Sequence, residues 1–95
     1  METHEFDISM FLRDEQEIAG YLNAAMEEGG SHLVQVALGD VAKARRRMSQ
    51  TAEDAGITRA GLYRALSADG NPSYENIVNI AKSLGLELKF VPAHH

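Results

Sequence analysis

The chain has 95 residues, of which 44% are apolar, with a net charge of −5 and no cysteine. That length suits one small domain; the apolar share fills a core but offers no run of the roughly 18 residues a membrane span needs, and the lack of cysteine excludes a disulfide scaffold or a thiolate zinc site. The acid-bearing start, METHEFDISM, is unlike the basic and then apolar opening of a signal peptide, so a cytoplasmic location is expected.

In chain order, FDISMFL is short and apolar, and Asp7 is placed to cap one helical turn that tucks Phe6, Met10 and Phe11 inward. Residues 14–28 predict a helix. Ile18, Tyr21, Leu22, Ala25 and Met26 recur at helical spacing, and Asp14, Glu15 and Glu17 sit at the end where the helix dipole favours negative charge. Gly29-Gly30 ends it. Ser31 is then a cap for a second long helix to about residue 46, with Val34, Ala37, Leu38, Val41 and Ala42 as its stripe, widened by Leu33 and Val36. Its last turn is basic, with Lys43, Arg45, Arg46 and Arg47. Each such charge contributes about 0.3–1 kcal/mol to a helix C-terminus by itself, so helix capping alone accounts for the cluster as well as a ligand does.

Ser49 predicts a cap for a short helix over residues 50–55, closed by Gly56. Ile57 belongs in the turn, Thr58 caps a second short helix over residues 59–66, and Leu62 and Leu66 make its inward contact. SADGNP is dense turn chemistry. Ser73 caps a final helix to residue 84, with Ile77, Ile80, Ala81 and Leu84 inward, and Gly85 ends it. LELKFV, residues 86–91, alternates apolar and polar like a strand. A lone strand has two unpaired edges. Its partner is a second copy of the chain, another protein's sheet edge, or the N-terminal HEFDI; the symmetric dimer ranks first.

The spacing Ala52-x-x-x-Gly56-Ile57-Thr58-x-x-x-Leu62 is that of a helix-turn-helix. A small residue at 52 lets the second helix cross closely, Gly56 takes the positive φ of the turn, and Ile57 and Leu62 fix the angle. Arg59, Ala60, Tyr63 and Arg64 are left outward on a helix of the kind that enters the major groove, where arginine pairs with guanine. Charge supports this locally. Residues 1–40 carry −8 and residues 41–95 carry +3, and residues 43–64 alone hold six bases against two acids. Tyr63 reads equally as a phosphate contact or as packing at the core edge. Enzyme chemistry finds no footing. His4, His32, His94 and His95 lack metal-ligand spacing, and there is no nucleophilic triad or phosphate loop, so neither metal nor cofactor is expected.

These stretches resemble the helix-turn-helix family of lambda-type repressors. More narrowly, FDISMFLRDEQEIAGYLNAAMEEG together with MSQTAEDAGITRAGLYRALSADGNPSYENIVNIAKSLGLELKF resembles the addiction-module antidote proteins, the antitoxins of type II toxin–antitoxin pairs, over residues 6–92. The resemblance implies an all-α, lambda-repressor-like bundle in a single domain, 1–95. Within it lie an acidic helical extension (1–30), a helix-turn-helix core (31–85) and a short β-strand (86–91). It implies base contacts from Arg59, Ala60 and Arg64, and a base or backbone contact from Gln50. Thr58, Tyr63, Arg45, Arg46 and Arg47 complete the expected DNA-binding set. It also implies double-stranded operator DNA, a homodimer, autorepression and neutralisation of a small basic toxin of the RelE/ParE kind, with no membrane partner. A stand-alone helix-turn-helix regulator without a toxin is the alternative.

Overall fold

A computed structural model describes residues 14–93, which form four helices: α1 (Glu15–Ala44), α2 (Met48–Ala55), α3 (Arg59–Ala65) and α4 (Tyr74–Ser83). The expectations for Asp7, Phe6, Met10, Phe11 and HEFDI lie outside the described residues.

The caps explain most boundaries. Asp14 accepts a 2.8 Å bond from the Glu17 N–H, Thr58 a 2.9 Å bond from Gly61, and Ser73 a 3.0 Å bond from Asn76. Each satisfies one of the amide donors that a helix start leaves without a partner. α1 is two limbs rather than one rod, because Gly30 breaks it at φ 70° and ψ −154°. Gly56 closes α2 in the left-handed region at φ 75°.

α2 departs from expectation at its start. It begins at Met48, its N-cap is Arg47 without a side-chain cap bond, and Ser49 lies inside the helix. The reason is the way α1 ends. Arg46 takes φ 55°, its N–H donates to the Lys43 carbonyl, and the Arg47 N–H donates to Ala42. This is the paired pattern of a left-handed helix stop. The Arg47 carbonyl in turn accepts from the Thr51 N–H at 2.7 Å, so one residue serves both helices and α2 starts early.

The core joins Ile18, Leu38, Val41, Ala42, Met48, Ala52, Leu62, Leu66, Ile80 and Leu84. The expected inward residues of α3 and α4 are there, with Ile77 half-buried at the margin. Met26 is a correction: it is 54% exposed. At 100° per residue Ala25 falls almost in line with Ile18, whereas Met26 is displaced by roughly 80°, beyond what the core covers. α2 packs most extensively on α4, where fully buried Thr51 Oγ1 lies 3.1 Å from Ser83 Oγ.

Two polar features hold the turn after α3. The buried Gln35 amide donates to the carbonyls of Ser67 (2.7 Å) and Gly70 (2.8 Å). Gly70 itself sits so near the carbonyls of Arg64 and Ala65 that a Cβ there would collide with backbone. The expected C-terminal β-strand is not seen: residues 86–93 form no regular secondary structure. Leu86 is anchored, its N–H on the Ala81 carbonyl at 2.9 Å and its side chain against the core. Beyond it a strand has no neighbour within the described residues to complete its ladder. Among those residues no helix is long and apolar enough to cross a membrane.

Candidate nucleic-acid interface

α3 is a short helix with one buried edge. Leu62 is fully buried and fixes the helix on the core, while Thr58, Arg59, Ala60, Tyr63 and Arg64 are exposed. Thr58 is spent locally as the cap. Arg59 and Tyr63, one turn apart, are coupled: Arg59 Nη2 donates to Tyr63 Oη at 3.4 Å and its guanidinium lies 5.7 Å from the ring centroid. Lys43 Nζ, reaching over from the end of α1, lies 5.5 Å from the same centroid. Such separations fall in the range where a cation is attracted to the ring face, by about 0.5–1 kcal/mol at an exposed site. Tyr63 is therefore neither core packing nor an isolated tip. It is 41% exposed and gathers two cations beside α3.

The basic run does not act as one patch. Lys43, Arg46, Met48, Ser49, Arg59 and Tyr63 line a single cleft of about 300 Å³. Arg45 and Arg47 instead line a different cleft with Glu15, Lys82, Ser83, Leu84 and Gly85, at the end of α4. Arg45 Nη2 lies 4.0 Å from Glu15 Oε2, and Arg47 is half-buried with its Nε shielded from solvent. So Arg46 stands with α3, and Arg45 and Arg47 do not. Lys43, absent from the expected set, lines the cleft beside α3 with Arg46. The sequence held a signal for it, since Lys43 opens the same basic run and stands three residues before Arg46.

Gln50 is exposed on α2, but its amide donates to Asp54 Oδ1 at 2.8 Å. The Asp54 carboxyl is held below its ordinary value by the Ser83 hydroxyl first, then by the Gln50 amide and the nearby charge of Arg47. Burial first and the Asp40 carboxylate second raise the Tyr21 hydroxyl above its ordinary value. No group of three His, Cys, Asp or Glu side chains suited to a metal occurs among the described residues.

The acids concentrate elsewhere. The first limb of α1 exposes Glu27 and Glu28 beside Met26. The described chain is thus a small all-α protein that sets a cationic short helix against an acidic limb. It matches the family described as "Probable addiction module antidote protein" over residues 2–92, and belongs to that family. It is also 46% identical over 85 residues to an uncharacterized protein of Haemophilus influenzae, covering 90% of this chain and 87% of the relative. No solved structure matches it.

Proposed function

We propose that this protein is the antitoxin of a type II toxin–antitoxin module, binding operator DNA through α3 and repressing transcription as a homodimer. The observation that carries the DNA reading is the exposed edge of α3. There Arg59, Ala60, Tyr63 and Arg64 face solvent together, with Lys43 and Arg46 beside them. Arg59 and Arg64 are the base-reading side chains, since guanidinium forks match the guanine edge. Lys43 and Arg46 neutralise phosphates on the flank. Net acidity is no obstacle, because affinity follows the phosphates neutralised at the interface.

The antitoxin role follows the family. The surface suited to a small basic toxin of the RelE/ParE kind is the acidic limb, where Glu27 and Glu28 supply charge and exposed Met26 an apolar anchor. In this arrangement residues 1–30 meet the toxin, residues 31–85 meet DNA and residues 86–91 join two copies. The protein is a binding module, not a catalyst.

The test is fluorescence anisotropy with DNA from upstream of the gene itself, alongside co-expression with the product of the adjacent gene, which this reading expects to be a small basic protein. Salt-sensitive, sequence-selective binding and rescued growth are expected. Binding that ignores both sequence and salt would remove the DNA reading, and unrescued growth would remove the toxin reading.

A further inference from the structure

We propose that residues 86–90 form an antiparallel two-stranded ribbon with the same residues of a second copy, in the one register centred on Leu88. This deepens the homodimer reading above and rests on it. Leu86 is fixed on the core, while Leu88, Phe90 and Val91 are 50%, 94% and 77% exposed. Among the described residues no backbone group from 87 to 93 makes a backbone hydrogen bond. Residues 87–90 thus keep ladder groups that no other described backbone group takes up, beside an apolar row of Leu86, Leu88 and Phe90 with Glu87 and Lys89 on the reverse.

Charge selects the partner and the register. A closed two-fold contact must be complementary to itself. With Leu88 facing Leu88 of the second copy, Leu86 faces Phe90, and Glu87 faces Lys89, twice over by symmetry. Sliding by one residue puts apolar side chains on the charged face. Sliding the pairing centre to Glu87 or to Lys89 keeps the faces but sets like charges directly opposite, which destabilises a ladder. A parallel in-register pair aligns Glu87 with Glu87 and Lys89 with Lys89. Only the Leu88-centred antiparallel register satisfies both faces. In it Phe90 of each copy lies beside the other's Leu86, at the edge of the core.

The experiment uses the full chain and measures the dimer dissociation constant by sedimentation for Glu87→Lys, Lys89→Glu, the double exchange, and an equimolar mixture of the two single variants. Both positions are exposed, so folding is not at stake. Each single exchange replaces two opposite-charge pairs by two like-charge pairs, and weakening of at least about tenfold is expected. The double exchange restores the wild-type constant to within about threefold, because it regenerates both opposite-charge pairs. The mixture restores it too, through heterodimers. Leu88→Cys, which places two thiols on the dyad, is expected to cross-link under mild oxidation. Single variants as tight as wild type overturn the ribbon and leave the dimer reading standing. A double exchange or mixture that stays weak overturns the register. A wild-type chain that is monomeric at every concentration overturns the dimer reading itself, and the ribbon with it.

Discussion

The division of the basic run into two sides makes the salt dependence of DNA binding a sharp probe. Lys43 and Arg46 share a cleft with Arg59 and Tyr63, whereas Arg45 and Arg47 share one with Glu15 and Lys82. If the first pair neutralises phosphate, each loss should lower the slope of log affinity against log salt by about 0.9. Raising salt from about 50 to 200 mM then costs each single variant about 3.5-fold less affinity than it costs wild type. For the double change Lys43→Ala with Arg46→Ala the difference is about 12-fold, since the slopes add. Arg45→Ala with Arg47→Ala should leave the slope where it was. It lowers the unfolding temperature instead, because Arg47 is half-buried beside the end of α4 with its Nε shielded from solvent. Anisotropy titrations with labelled operator at four or five salt concentrations give the slopes directly. Equal slope losses in the two double variants would refute the reasoning, since the phosphates would then wrap both sides of the α1–α2 junction.

Four further outcomes are expected. Arg59→Ala should weaken operator binding by about 1–3 kcal/mol per half-site, through loss of preference at one base position in each, with toxin neutralisation intact; Glu27→Lys with Glu28→Lys should do the converse, and footprinting with growth rescue separates them. Arg46→Gly should stabilise the fold by about 1 kcal/mol in urea unfolding while it lowers the salt slope, because Arg46 holds φ 55° where glycine sits without strain. Gln35→Ala should cost about 1–3 kcal/mol by leaving the Ser67 and Gly70 carbonyls without their donor, and should loosen the turn that ends α3, visible as faster amide exchange at residues 64–70. The Asp54 carboxyl, lowered from 3.8, contributes stability that is fully present above that value and is lost as pH falls through its lower folded value. Melting temperatures of wild type and Asp54→Asn should accordingly differ at neutral pH and converge only as pH falls through that lower folded value.

Where local chemistry decides an element, the sequence was a sufficient guide. Thr58 and Ser73 each accept the amide bond their position invites, and Gly56 and Gly85 take the positive φ their turns require. Leu62 and Leu66 are buried as their spacing demands. Gln35 was also within reach: it stands three residues before Leu38 and seven before Ala42, on the inner edge of α1, where a polar side chain needs partners. What escaped was geometry that depends on a break in periodicity. Helical spacing assigns neighbours only while the helix continues. At Arg46 the backbone enters the left-handed region, and beyond it 100° per residue no longer tells which way a side chain faces. Arg45 and Arg47 are therefore parted from Arg46, and three adjacent arginines that look equivalent as letters take different neighbours.

The C-terminal segment went unrealised for a different reason. Its alternation is plain in LELKFV, and its first residue is docked where a strand would begin. A helix satisfies its own backbone groups and forms wherever its caps and stripe permit, whereas a strand acquires its hydrogen bonds only from a neighbour. The same physics explains why α1 to α4 stand in one chain and residues 86–91 do not. It also sets what a partner has to supply: a ladder of matching length, an apolar face for Leu88 and Phe90, and charges opposite in order to Glu87 and Lys89. A second copy run antiparallel meets all three by symmetry, and the same two-fold axis would present two α3 helices to the half-sites of one operator.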